Sequence, residues 1–221
     1  MGYFIERCDP MLSYVGAYFY DKIMRATEEA CLIEWRRDLL KQVHGHVLEI
    51  GAGTGASLGL YPQNMDIQLH LAEPDEHMRA QLVKKLADSH FIDARVLSCS
   101  AESIDSEDNI YDFVFVSLVC CSVNDVSKAL GEIKRVLKPN GRLLFLEHVA
   151  APEGSQRRMW QNVLNGPWGK LAGNCHLNRD TENSLLDAGF TLEQITRESL
   201  RKAMPLVRPS IRGVATVSQA S

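Results

Sequence analysis

Short apolar runs alternate with segments of helical spacing through the middle of the chain. Residues 46–50 form an apolar run that leads into a glycine-rich loop and read as a first strand. Residues 67–72 read as a second strand. Residues 75–89 follow, with Met78, Leu82, Val83 and Leu86 at helical spacing. Residues 94–98 read as a third strand. Residues 113–119 are continuously apolar, as expected of a strand buried on both faces. The spacing predicts a helix over 125–137, stopped by Lys138-Pro139-Asn140-Gly141, and another buried strand over 142–149. Strands that alternate with helices imply a mostly parallel sheet covered on both faces, an α/β fold.

The two ends differ from this middle. Residues 10–42 read as helical: Tyr14 and Tyr18 lie four apart, and Ile33, Leu39 and Leu40 continue an apolar stripe broken by Arg36, Arg37 and Asp38. Gly45 ends that region. Near the other end, residues 155–171 read as a helix interrupted at Gly166-Pro167, and residues 173–178 have loop composition. A further helix is expected over 180–188, with Asp180 or Thr181 as N-cap and Gly189 after its end. Short strands over 190–195 and 212–217 are joined by 205–209. The expected organisation is one domain over 1–221: a helical cap (1–42), a ligand-binding core (43–150), and a lid with the final strands (151–221).

Composition narrows the function classes. The chain has 221 residues, 45% of them hydrophobic, and a net charge of −4. It holds no run of Lys or Arg long enough to track a phosphate backbone, so nucleic acid is not expected as a partner. No stretch approaches the roughly 18 apolar residues that span a bilayer. The first residues lack the features of a signal peptide, and Glu6 stands where a myristoylation motif needs Ser or Thr. The six cysteines form no CxxC pair and read as reduced thiols of a cytoplasmic protein. Cys120 and Cys121 are adjacent and point to different sides, so they cannot share an ion without a third ligand, such as Cys99 or Cys175. No metal is expected.

The glycine loop carries the strongest chemical signal. Gly51, Gly53 and Gly55 follow the first strand and precede a helical turn, where the chain turns sharply and a ligand must approach the backbone. Such a turn offers free N–H groups and suits a pyrophosphate or an amino-acid carboxylate equally well. Gly51-x-Gly53-x-x-Ala56 also satisfies the loose dinucleotide pattern, and Glu73 at the end of the second strand suits ribose hydroxyls in either reading. Two further features favour S-adenosylmethionine (SAM). Glu49 sits where its charge would repel a pyrophosphate yet could hold the ammonium and sulfonium end of SAM. Ser100-Ala101-Glu102 offers a second acid for an adenine amino group.

Several motifs carry a family resemblance. Leu48-Glu49-Ile50-Gly51-Ala52-Gly53-Thr54-Gly55 resembles motif I of the class I SAM-dependent methyltransferases, and Glu73-Pro74-Asp75 resembles their motif II acid. Ala101-Glu102, Tyr111-Asp112-Phe113-Val114 and Leu137-Lys138-Pro139-Asn140-Gly141-Arg142-Leu143 are similar to later motifs of the same class. Leu118-Val119-Cys120-Cys121-Ser122-Val123, Phe145-Leu146-Glu147-His148-Val149 and Gly173-Asn174-Cys175-His176-Leu177-Asn178-Arg179-Asp180-Thr181 are more specific. They resemble a bacterial group related to the animal alkyl-thiol methyltransferases. The resemblance implies a Rossmann-like, doubly wound, seven-stranded sheet whose last strand is antiparallel. It also implies SAM as methyl donor and a small thiol or sulfide as acceptor. This chain departs in having Cys120 where the relatives commonly have Leu, and an N-terminal anchor like that of the animal enzymes is not expected.

Methyl transfer is an in-line displacement in which the protein must position the acceptor and exclude water. Candidate cofactor residues are Tyr20, Glu49, Gly51, Gly53, Gly55, Glu73, Pro74, Met78, Ser100, Ala101, Glu102 and Leu118. Acceptor residues are sought at the carboxyl ends of the fourth and fifth strands and in the lid. Tyr18, Cys121, Trp160, Asn178 and Arg179 are the binding candidates, and His148 and His176 the catalytic ones. His148 is placed to take or steer a proton, since imidazole titrates near pH 6.5. The alternative to S-methylation is transfer to oxygen, nitrogen or carbon of a small metabolite such as a quinone precursor. A SAM-binding module without turnover is the third reading.

Overall fold

The computed structural model describes residues 21–63, 66–91 and 93–217. Residues 21–27 are helical, and a π-helical turn, Glu28–Leu32, leads into α1 (Ile33–Leu40). There follow β1 (Gly45–Ile50), β2 (Ile67–Ala72), α2 (Glu76–Ala87), β3 (Arg95–Leu97), β4 (Tyr111–Ser117), α3 (Val126–Val136) and β5 (Leu137–His148). The chain then forms α4 (Gln156–Leu171), α5 (Thr181–Asp187), β6 (Phe190–Ser199) and β7 (Pro209–Val217).

The seven strands form one sheet in the order β3-β2-β1-β4-β5-β7-β6. Pairs among β1 to β5 are parallel, and β7 runs antiparallel to both β5 and β6. The last strand is the antiparallel one, as expected. The chain leaves β1 toward β2 on one side and later returns to place β4 on the other. That reversal opens a crevice at the carboxyl ends of the strands, where open α/β sheets bind ligands.

Period-two alternation explains why the central strands are apolar throughout. Leu48, Val114, Val116, Leu143 and Phe145 pack on one face with Leu130, Ile133 and Val136 of α3 and Leu185 of α5. Their neighbours Val47, Phe113, Phe115, Leu144 and Leu146 pack on the other face with Trp35, Leu39 and Leu40 of α1 and Leu82 of α2. Each strand therefore supplies two cores at once.

The helix starts are set by short polar side chains. Asp75 accepts from Met78 N at 2.8 Å, Asp125 from Lys128 N at 2.9 Å, and Asp180 from Asn183 N at 3.1 Å. Asp180 is thus the N-cap of α5, and Thr181 is the first helical residue.

Four sequence expectations change. First, α3 ends at Val136, and Leu137 to Gly141 already belong to β5. Lys138 precedes a proline, which disfavours helical backbone there, and Leu137 pairs with Tyr111 before the register shifts. Second, α4 runs unbroken through Pro167. Val163, whose carbonyl loses its partner to the proline, is 61% exposed, so water can satisfy it. Third, β6 and β7 are longer than their apolar cores suggested, because their mutual ladder extends to Ser199 and Pro209. Fourth, Arg36 does not break the apolar face of α1: it is buried. Its Nε donates to Ser117 Oγ at 2.8 Å, and its guanidinium meets both carboxylate oxygens of Glu28. Paired in this way, the charge can be buried.

Candidate active site

The cofactor end is built on β1 and β2. Gly51 and Gly53 adopt φ of +66° and +56°, a left-handed backbone that favours glycine. A Cβ on Gly51 would also run into the side chain of Val119. The loop is tied to the sheet by Gly51 N and Ala52 N, which donate to Ala72 O at 2.8 and 3.1 Å. Gly55 is left-handed as well.

Glu73 stands just beyond β2, buried beside this loop. Its Oε2 accepts from Gly53 N and its Oε1 from Asp75 N, both at 2.8 Å. Each oxygen keeps a lone pair for a ligand hydroxyl. Burial raises the pKa of Glu73, against the backbone donors from Asp75 and Gly53. Pro74 is exposed, Met78 is half-buried, and Arg79 donates to the carbonyls of Glu73 and Pro74.

Glu49, on β1, is buried and turned to Tyr61, whose hydroxyl donates to Oε2 at 2.8 Å. Burial raises its pKa, opposed by hydrogen bonds from Tyr61 and Ser57 and by the charge of Arg36. Ser100 O accepts from Ser103 N at 3.2 Å, Ala101 is buried, and Glu102 Oε1 accepts from Asn124 N at 2.8 Å. Thr54 donates to Asp21 Oδ1 at 2.6 Å, and Lys85 pairs with the same carboxylate at 2.9 Å. Left-handed glycines with a buried acid beside them are a backbone arrangement that a ribose-bearing cofactor can approach closely. Tyr18 and Tyr20 lie outside the described residues.

The acceptor-side candidates cluster where β4 and β5 stop. Leu118 follows β4 with φ +61°, a left-handed leucine that local sterics alone would not select. The loop after it is clamped by Glu147, which is fully buried on β5. Glu147 accepts from Val119 N at 2.9 Å, Cys120 N at 3.0 Å and Cys121 N at 3.4 Å. Burial raises the pKa of Glu147 even against these donors.

The lid loop after α4 is fastened to the same segment from above. Arg179 donates to the carbonyls of Cys120 and Val123 at 2.6 and 2.7 Å. His176 N donates to Cys121 O at 2.7 Å, and Asn174 Nδ2 to Ser122 O at 2.8 Å.

These fastenings bring three groups together. His148 is buried at the end of β5, and its Nε2 lies 2.9 Å from Cys175 Sγ of the lid. The ligand atoms of Cys121, His148 and Cys175 all lie within 4.8 Å of one another. A hydrogen bond from Cys121, with help from His148, pulls the Cys175 thiol down to about 4. The Cys121 thiol moves the other way, raised first by that same contact with Cys175 and then by burial.

Of the acceptor-side candidates, Cys121 and His148 belong to this group, and His176 and Arg179 border it. His176 is held by Asn165 at 3.3 Å, and its pKa is lowered by burial and then by Arg179. Trp160 and Asn178 are not bonded to it. Trp160 is 51% exposed on α4, and Asn178 Nδ2 donates to Asn162 Oδ1 at 2.9 Å. Glu147 and Cys175 are the residues that the sequence reading did not assign. An acid inside a strand buried on both faces is itself a signal, since Glu is seldom fully buried without a task.

Residues 48–145 match a family described as "Methyltransferase domain". Human "Thiol S-methyltransferase TMT1B" is 32% identical over 218 residues, which cover 94% of this chain and 86% of the human protein. Its rat counterpart is 36% identical over 151 residues, 67% of this chain and 61% of the rat protein, so the match spans about three-fifths of that relative's length. A solved geranyl diphosphate methyltransferase in complex with SAM shares the fold, with a TM-score of 0.69 over 85% of each chain at 13% identity. The fold, glycine loop and family match together define a class I SAM-dependent methyltransferase, with SAM as its cofactor. The chain belongs to the methyltransferase family that includes the thiol S-methyltransferase TMT1B. Among the described residues, no helix is long and apolar enough to cross a membrane.

Proposed function

We propose that this protein transfers a methyl group from SAM to the sulfur of a small thiol, hydrogen sulfide or methanethiol. The observation that carries the reading is the group of Cys121, His148 and Cys175 at the ends of β4 and β5, roofed by the lid loop. The similarity to TMT1B, named for thiol S-methylation, supports the same class of acceptor.

The chain's own residues have three tasks in this reaction. Glu73 and the glycine loop hold the ribose and amino-acid portions of the donor, and Ala101-Glu102 meet its adenine. Bound SAM supplies an electrophilic methyl on a sulfonium. Glu147, Arg179 and the lid shape the place where the acceptor meets that methyl and keep water out. A dedicated base is not required, because a free thiol ionises near pH 8.5 and part of it is thiolate at neutrality. Nε2 of His148 is engaged with Cys175. His148 therefore orders the thiol group, and His176 positions the lid. The protein acts on a diffusible small molecule.

The test is an acceptor panel with methyl-labelled SAM, including sulfide, methanethiol, a phenol, an amine and a quinone precursor. The expected result is preferential labelling of thiol or sulfide, at a rate that rises with pH as thiolate accumulates. His148→Ala should lower the rate by a similar factor at every pH. Much faster turnover of the phenol, amine or quinone precursor under matched conditions overturns the thiol reading.

A further inference from the structure

The group of Cys121, His148 and Cys175 does more than border the acceptor. Two thiols and an imidazole are the donor set of a zinc-class ion, and three protein donors leave a fourth position for an exogenous group. Their sequence spacing does not mark a site, because Cys121 lies in the loop after β4, His148 ends β5, and Cys175 comes from the loop after α4. The fold alone assembles them.

At zinc–sulfur and zinc–nitrogen lengths of about 2.3 and 2.0 Å, tetrahedral ligand atoms stand roughly 3.5 Å apart. The observed separations bracket that value, from 2.9 Å between His148 Nε2 and Cys175 Sγ to within 4.8 Å for the whole group. Cys121 and His148 are almost fully buried, and Cys175 is 9% exposed. His148 turns Nε2 toward the two sulfurs, 2.9 Å from Cys175 Sγ and within 4.8 Å of Cys121 Sγ. An ion bound between His148 Nε2 and the two sulfurs would satisfy three buried donor atoms at once. The neighbouring Cys120 takes no part: it packs into the core on one face of the sheet.

We propose that Cys121, His148 and Cys175 bind a zinc-class divalent ion that fastens the lid to the ends of β4 and β5. The binding does not depend on which acceptor the enzyme uses.

The experiment titrates metal-depleted full-length protein with cobalt(II) and then zinc(II), under reducing conditions and without SAM or acceptor. One equivalent of cobalt should produce a near-ultraviolet thiolate-to-metal band, which zinc then abolishes. Cys175→Ser and Cys121→Ser should each weaken the ion by more than about tenfold, the loss that removal of even an outer partner of a ligand can cause. Cys99→Ser, a half-buried thiol outside the group, should leave the titration unchanged. Circular dichroism checks that each variant folds. The wild-type titration is decisive by itself: no stoichiometric band, or a Cys121–Cys175 disulfide in place of free thiols, overturns the site. So does a band that survives in the Cys121→Ser/Cys175→Ser double variant.

Discussion

Glu73 and Glu147 invite comparison. Both are buried acids at the carboxyl end of a parallel strand, β2 and β5 respectively, and both accept hydrogen bonds from backbone N–H groups of a loop. Glu73 holds one such group on the glycine loop, Gly53 N, and one at the start of α2, Asp75 N, whereas Glu147 holds three beyond β4. They differ in what surrounds them. Glu73 sits beside left-handed glycines in a motif built for one cofactor. Glu147 sits beneath a loop that carries two cysteines and follows a left-handed leucine, and the segment after α4 is fastened to that loop. The same device, a carboxylate that organises a loop by its backbone, thus serves both sides of the crevice.

The largest effect should come from Glu147. Glu147→Ala leaves three loop N–H groups without their acceptor, each worth about 1–3 kcal/mol when buried and unsatisfied. A loss of about 3 kcal/mol or more is expected in urea unfolding, with part recovered in Glu147→Gln. A loss below about 1 kcal/mol would show that the loop re-forms without its clamp.

Glu73→Ala should spare the fold more and binding less. SAM affinity is expected to fall by more than about tenfold, or roughly 1.4 kcal/mol. Gly53→Val should act in the same direction, because valine resists the left-handed backbone at that position. Calorimetry with SAM measures both, and unchanged affinity in both variants removes the cofactor assignment.

The smallest effect concerns Glu49, the third buried acid. Burial raises its pKa, so the folded protein holds that proton more tightly than the unfolded chain. Its contribution to stability is full below the unfolded pKa of about 4.3 and is lost as pH rises through the folded value. Glu49→Gln cannot ionise and escapes this loss. Its stability relative to wild type should therefore rise between about pH 4 and pH 8, as measured by denaturant midpoints, whereas a flat difference would mean that Tyr61 and Arg36 offset the burial.

The halves also differ in how far the sequence reveals them. The glycine loop, Glu73 and Ala101-Glu102 are local motifs, and the alternating strands 113–119 and 142–149 follow from period-two burial on both faces. The acceptor side is assembled from residues far apart in sequence: Arg179 reaches back to Cys120, and Cys175 to His148. Neither contact leaves a trace in local spacing. Arg36 misled for a related reason, since its partners Glu28 and Ser117 lie on a preceding helical turn and on a strand. Pro167 misled because a proline ends a helix only where the freed carbonyl has no other partner, and α4 is exposed at that turn.

Because β7 lies between β5 and β6, the order in which the sheet closes differs from the order in which its strands are made. Among the described residues, β6 has β7 as its only neighbour in the sheet, and β5 has β4 on one side and β7 on the other. During synthesis, at about 5–20 residues per second, β6 emerges with nothing to pair with and β5 keeps an open edge until residues 209–217 arrive. Open edges are templates for pairing with other chains. A nascent chain stalled before β7 would therefore present one unpaired strand, β6, and the open edge of β5 to chaperones and proteases.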